Sequence, residues 1–309
     1  MAGDGTGAGA GHGIAAPRAG ASGLAFRKMH GAGNDFVVID LRAVPAPVED
    51  ARFAALVRGL GDRHLGVGFD QLAVLEAPGP GSDAAVRVVF WNADGSTSAA
   101  CGNATRCLAR LLLDEGAAGP LAIEVAGRGR LEAALGPDGI TVDMGTPVLD
   151  WAAIPLARAV DPMALPIEGP GRAPIAVGMG NPHCVHVVET LDGLDWQAVG
   201  RAGEHHPLYP ERTNVQVVEV LAPDRVRARV WERGVGRTLA SGSSASAIGV
   251  ALARAGLTGR AIAVEMEGGT LTVDWGADDH VRLGGPVAHV FDGRLDAAQV
   301  AALVAEGER

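Results

Sequence analysis

Two stretches of this chain share one grammar: "NADGSTSAACGNATRC" (residues 92–107) and "ERGVGRTLASGSSASA" (residues 232–247). Each crosses a polar, glycine-broken turn and enters an apolar helical segment at a glycine, Gly102 or Gly242. A helix start presents unpaired backbone N–H groups and the positive end of the dipole, so it attracts carboxylates. A thiol at that place has a lowered pKa. Cys101 directly precedes Gly102 and is therefore a candidate base or nucleophile; it reads equally well as a small buried residue. Cys107 falls on the apolar face of the same helix and reads as core. The matching place in the second turn holds Ser241, whose hydroxyl becomes a base only with a strong helper.

Further polar residues stand in turns, where function is easily built. They are Asn34 in "GAGNDF", Gln71 in "FDQL", Asn92 in "WNADGS", Asn181 and His183 in "GNPHC", Asn214 in "RTNVQ", and Glu232 with Arg233 in "ERG". A single Asn beside Gly or Pro is an ordinary turn former. Four such asparagines with one arginine suit a zwitterion, because amides serve ammonium and carboxylate alike while Arg forks onto carboxylate.

These residues must be held by short strands and a few helices. Runs such as "DFVVID", "QLAVLE", "AVRVVFW", "LAIEVAG", "LEAAL" and "GITVDMG" predict strands of an antiparallel or mixed sheet. "ARFAALVRGL" and "GNATRCLARLLLDEG" have helical period. A proline-rich stretch breaks the rhythm near Thr146, and then the order recurs. "APIAVGMG", "CVHVVE", "NVQVVEVLA" and "RVRARVWER" precede a helix from Gly242 to about Ala255; "AIAVEMEG", "GTLTVDW" and "HVRLGG" follow it. Two copies of strands, turn, buried helix and strands predict an internal duplication. The expected organisation is a disordered Gly/Ala-rich tail over 1–23, an N-terminal lobe over 24–146, a C-terminal lobe over 147–290, and a segment over 291–309 that returns to the first lobe.

Composition narrows the partners. At 309 residues the chain is long enough for two domains. It is 48% hydrophobic without an uninterrupted apolar run of membrane-spanning length. The net charge of −10 has no basic stripe, which argues against nucleic acid or an anionic membrane and for a small molecule. Three cysteines, Cys101, Cys107 and Cys184, form neither a disulfide framework nor a zinc-ligand spacing, so the expected compartment is the cytosol and no metal is expected.

The ordered motifs "KMHGAGNDFVVID", "NADGS…CGN..R", "GNPH", "TNV" and "ERGVG.TLA.G", continuing to "EGGTLTVDW…VRLGGPVAHVFDG", resemble the diaminopimelate epimerase family over nearly the whole chain apart from the tail. The resemblance implies an α+β fold of two pseudo-symmetric lobes, each a strongly curved sheet around a central helix, with substrate between the two helix starts. It implies an isomerase without pyridoxal phosphate or metal, expected as a homodimer, that interconverts LL- and meso-diaminopimelate for lysine and cell-wall synthesis. Carried over residue by residue, Cys101 matches the first catalytic cysteine. Gly102 and Asn103, with Gly242 and Ser243, match the donors to the reacting carboxylate. Asn34, Asn92, Asn181, Asn214 and Arg233 match the substrate-recognition set, and Gln71, His183 and Glu232 match polar residues near the reacting centre, His183 and Glu232 being expected to take part in catalysis. The departure is Ser241, which stands where the family has its second catalytic cysteine; Ser246 is expected to serve packing. Two other readings remain open: a related racemase or one-base dehydratase for another amino acid, and a binding protein that has lost turnover.

Overall fold

Where one sheet face meets a core and the other meets water, side chains alternate, and the strand Gly269–Trp275 does so: Leu271, Val273 and Trp275 are buried between more exposed neighbours. The computed structural model describes residues 23–43, 51–98, 102–136 and 139–309. The first lobe holds β1 (Leu24–Gly31), β2 (Asn34–Asp40), α1 (Ala51–Gly61), β3 (Gln71–Glu76), β4 (Val86–Asn92), β5 (Thr97–Ser98), α2 (Gly102–Asp114), β6 (Leu121–Val125), β7 (Gly129–Gly136) and β8 (Gly139–Asp143). The second holds β9 (Ile175–Gly178), β10 (Pro182–Val188), α3 (Trp196–Glu204), β11 (Asn214–Ala222), β12 (Arg225–Glu232), β13 (Gly236–Thr238), α4 (Gly242–Arg254), β14 (Ala261–Met266), β15 (Gly269–Trp275) and β16 (Val281–Gly285). The chain ends with β17 (Ala288–Leu295) and α5 (Ala297–Gly307).

The two lobes follow one pairing plan. In the first, β1 is antiparallel to β2, β2 parallel to β3, β3 antiparallel to β4, β4 parallel to β6, and β6, β7 and β8 run antiparallel. In the second, β9 to β16 repeat those relations step for step. Trp91 and Trp231 occupy matching places, each pairing with the short strand that follows. The α+β fold of two curved lobes read from the sequence is the fold of the chain. β17 pairs antiparallel with β1, and α5 packs on α1, so the last residues lie against the first lobe.

Each lobe wraps its sheet around one helix. α2 buries Ala104, Cys107, Leu108, Leu111 and Leu112, each large side chain worth about 1.5–3 kcal/mol over leaving it in water. α4 is buried on every face from Ser244 to Leu252, as a helix apolar all round must be. Its small residues admit the sheet closely: a Cβ on Gly249 would stand 2.6 Å from Val273 Cγ1. Ser246 donates to the Gly242 carbonyl one turn back at 3.0 Å and serves the helix. Both central helices belong to one continuous core, while α1 with α5 and α3 cover the outer faces.

The lobes meet along β8 and β16, which pair antiparallel with Arg282 opposite Asp143 and Leu283 opposite Val142. At the rim, the Gly268 turn of the second lobe presses on the Ala32–Gly33 turn of the first, with a Cβ on Gly33 placed 3.1 Å from Gly268 Cα. Among the described residues no helix is long and apolar enough to cross a membrane.

Candidate functional site

The two central helices begin close to one another. A Cβ added to Gly242 would lie 3.4 Å from Asn103 Oδ1 and 3.6 Å from Asn103 N, so the starts of α2 and α4 face each other across a gap of side-chain size. Leu283 is their common floor, its Cδ2 lying 3.0 Å from a Cβ on Gly102 and 2.6 Å from one on Gly242. Ser241 caps α4 with extended backbone, yet its hydroxyl does not cap the helix. It donates instead to Glu232 Oε2 at 3.0 Å. Asn103, 1% exposed, donates through Nδ2 to Asn34 Oδ1 at 3.0 Å, and its Oδ1 has no hydrogen-bond partner among the described residues. Two converging helix starts offer N–H groups suited to a carboxylate, and the Asn103 amide oxygen, unpartnered among the described residues, offers an acceptor suited to a donor. Cys101, expected beside Gly102, lies outside the described residues.

Amides and carboxylates line the first-lobe side. Gln71 Nε2 donates to Asn92 Oδ1 at 3.0 Å across β3 and β4, and Asn92 Nδ2 donates to Ser96 Oγ at 3.0 Å. Asn34 Nδ2 donates to Asp70 Oδ2 at 2.7 Å, and Arg63 bridges Asp70 and Asp35. Burial, followed by the nearby Asp35 charge, lifts the Asp70 carboxyl above its usual range.

The second lobe answers with a chain of polar groups. His183 is fully buried between Asn181 Oδ1, 2.7 Å from Nε2, and Gln216 Nε2, 3.0 Å from Nδ1. The Gln216 amide is a donor, so Nδ1 accepts and Nε2 carries the proton toward Asn181. Gln216 also donates to Ser244 Oγ at 2.9 Å, tying this chain to the first turn of α4. Burial, with the Arg233 charge second, holds the His183 pKa down to about 3. Both its nitrogens are thus engaged within the protein, one of them with Asn181. Asn214 likewise engages both ends of its amide with backbone, donating to Pro182 O at 2.9 Å and accepting from Arg233 N at 3.0 Å.

Glu232 ends β12 where Asn92 ends β4, a carboxyl in place of an amide. Burial raises its pKa, the Asp70 charge adds to that, and the hydrogen bond from Ser241 only partly opposes it. Arg233 is exposed and donates through Nη1 to Glu211 O at 3.2 Å; Ser243 lies half-buried in the first turn of α4. Asn34 and Asn181 hold corresponding places, each directly after a glycine in the left-handed region, Gly33 at φ 81° and Gly180 at φ 84°.

Sequence reasoning missed Asp70, Gln216, Ser244 and Leu283. Gln216 did carry a signal, since it lies two residues from Asn214 on the same face of β11 and is the polar exception in a run of valines. Among the described residues no three His, Cys, Asp or Glu side chains are grouped to hold a metal ion.

The family model described as diaminopimelate epimerase matches residues 26–149 and 175–290. Among curated proteins, the diaminopimelate epimerase of Rhodospirillum centenum is 49% identical over 273 residues, covering 87% of this chain and 91% of that protein. That of Acidiphilium cryptum is 50% identical over 281 residues, covering 89% and 98%. Solved structures share the fold at lower identity. A hydroxyproline epimerase from Agrobacterium vitis superposes with a TM-score of 0.63 at 17% identity, covering 89% of this chain and 92% of that one. A predicted epimerase from Pseudomonas aeruginosa gives 0.61 at 19%, covering 88% and 99%. With the family match spanning both lobes and close relatives aligned over nearly their full length, the chain belongs to the diaminopimelate epimerase family.

Proposed function

We propose that this protein is a diaminopimelate epimerase, an isomerase that interconverts the LL and meso forms by breaking one Cα–H bond and forming another on the opposite face of the same carbon. The observation that carries the reading is the approach of the α2 and α4 starts at Asn103 and Gly242. Removing the proton leaves a carbanion whose charge spreads onto the adjacent carboxylate, and N–H groups already aimed there stabilise it without reorganising.

In this reading the backbone at Gly102, Asn103, Gly242 and Ser243 holds the reacting carboxylate. Asn34, Gln71, Asn92, Asn181 and Arg233 fix the rest of the zwitterion, while Asn214 and His183 keep that set in place. Cys101 takes the proton as thiolate. On the other face Ser241 delivers a proton from its hydroxyl and is reprotonated by Glu232, whose pKa burial raises. The 3.0 Å Ser241–Glu232 contact favours this relay over a serine acting alone. A single-base exchange enzyme is the second reading, in which the relay fails and protons return to the face they left.

The reaction needs no pyridoxal phosphate in this proposal. The chain's one lysine, Lys28, which a Schiff base would require, is 9% exposed and paired with Asp35 at 2.6 Å. No metal is assigned. We place the enzyme in the cytoplasm on its cysteine usage and read it as a homodimer; the half-exposed Val290 and Phe291 on β17 favour that assembly. Proton NMR of LL-diaminopimelate with the protein in deuterated water tests the function. Deuterium entering Cα together with meso product is expected; binding with neither would refute it.

A further inference from the structure

We infer that Glu204 is a positioning residue for the reaction, holding the Glu232–Arg233 turn from behind. This rests on the reading of Glu232 and Arg233 as site residues. Glu204 is the last residue of α3 and is 4% exposed. Its Oε2 accepts from the Trp231 indole Nε1 at 2.7 Å, and its Oε1 accepts from the Gly234 backbone N–H at 2.8 Å. One carboxylate thus grips the chain on both sides of Glu232 and Arg233. Between those two grips, Asn214 accepts from the Arg233 backbone N–H. Side chains from α3 and β11 therefore hold three of the four residues from Trp231 to Gly234.

Such a carboxylate is costly unless it has a task. It is buried, and it sits at the C-terminal end of a helix, where the dipole disfavours negative charge. Burial pushes its pKa up, but the Trp231 and Gly234 donors together with His205 and Arg212 outweigh it and hold the group below the usual carboxylate range. The carboxylate is consequently charged at neutral pH and grips with charge-assisted bonds.

The approach of α3 is also built for this contact. A Cβ on Gly200 would stand 2.7 Å from Trp231 Cβ, and one on Gly203 would stand 2.9 Å from Val215 Cγ2, so two glycines let the helix lie flat on β11 and β12. Arg201 covers the Trp231 ring at 5.4 Å. The first lobe lacks the device: Trp91 holds the place of Trp231, and its Nε1 has no hydrogen-bond partner among the described residues. The anchor occurs in the lobe whose turn carries charged groups, which lose most from an error in placement.

Two readouts on Glu204→Ala test the inference. Hydrogen exchange of the substrate-free protein reads the anchor independently of any substrate. Amides over 231–236 should exchange roughly 10- to 100-fold faster, the effect of leaving buried donors unpaired, with the rest of the lobe unchanged. Binding of LL-diaminopimelate should weaken, and the loss should be non-additive with Arg233→Met, because one residue acts through the other. Unchanged exchange over 231–236, or a rise spread evenly over the lobe, overturns the anchor. Faster local exchange with unchanged or additive binding losses overturns its part in the reaction. If the unmodified protein neither binds nor turns over diaminopimelate, the proposed function fails while the exchange result still decides the anchor. Should Glu204→Ala fail to fold, Glu204→Gln keeps one acceptor and is expected to give a smaller rise at the same amides.

Discussion

Gly242→Ala adds one methyl group between the two helix starts, and its effects on stability and on binding can be separated. Alanine is the better helix former by up to about 1 kcal/mol, so an unobstructed site would gain stability. The added Cβ, however, would stand 2.6 Å from Leu283 Cδ2, far inside the roughly 3.5–4.0 Å of a carbon contact. Leu283 is 0% exposed and also lies against Gly102, so it has no free space to turn into. Overpacking of this kind costs about 1–3 kcal/mol, which outweighs the helix term and should lower the melting temperature by a few degrees. The same methyl would lie 3.4 Å from Asn103 Oδ1 and 3.6 Å from Asn103 N, in the space a carboxylate oxygen needs. Losing one or two charge-assisted hydrogen bonds, each about 1.5–3 kcal/mol, weakens binding roughly 10- to 10⁴-fold. Adding Leu283→Val removes the offending terminal carbon. The double variant should therefore be more stable than the two single losses predict, while binding stays weak. Thermal melts and calorimetry with LL-diaminopimelate read the two quantities. A double variant that binds as tightly as the unmodified protein would show that the carboxylate does not lie between the helices.

Glu232→Gln should suppress inversion by about 10²- to 10⁴-fold while leaving deuterium exchange on the Cys101 face, and Ser241→Cys should restore inversion in that background. If Glu232→Gln inverts substrate at the unmodified rate, the relay is wrong. His183 sets an acid limit on stability. Its folded pKa of about 3 lies below the ordinary 6.5, so the unfolded chain takes up this proton first, and stability is lost as pH falls from 6.5 toward 3, by up to about 1.4 kcal/mol per unit. His183→Asn should flatten denaturant midpoints over that range relative to the unmodified protein; parallel curves would refute the assignment.

Much of the sheet was legible because its strands alternate or run apolar between turn residues, as Gln71–Glu76 and Gly269–Trp275 do. The helix α3 was not, because Gly200 and Gly203 weaken the helical pattern of its short sequence. They are present because Trp231 and Val215 press on the helix backbone, a contact no local pattern reveals. α5 was legible in principle: Asp296 and Gln299 form a capping box in the expected spacing. β1 and β17 stabilise each other from opposite ends of the chain, and β17 shows no regular alternation to announce it. At the site, turn asparagines stood out by type. Asp70, Gln216 and Glu204 act through partners distant in sequence, and a carboxylate ending an unrecognised helix gave no reason to look there.

Under the proposed function, the seam between β8 and β16 bears on how a ligand would leave. A hydrogen-bonded strand pair resists sliding lengthwise, so a parting of the lobes is expected to turn about this seam as covers turn on a spine. The chain's passage out of the first lobe is fastened to that spine too, through Met144 N to Val281 O at 2.8 Å and Val281 N to Gly145 O at 2.9 Å. Leu283, on the spine, touches both helix starts, whereas the Gly33 and Gly268 turns meet at the rim. A given rotation moves the rim far and the helix starts little. If the amino acid binds as proposed, it should be released distal end first, with its reacting carboxylate the last group to let go.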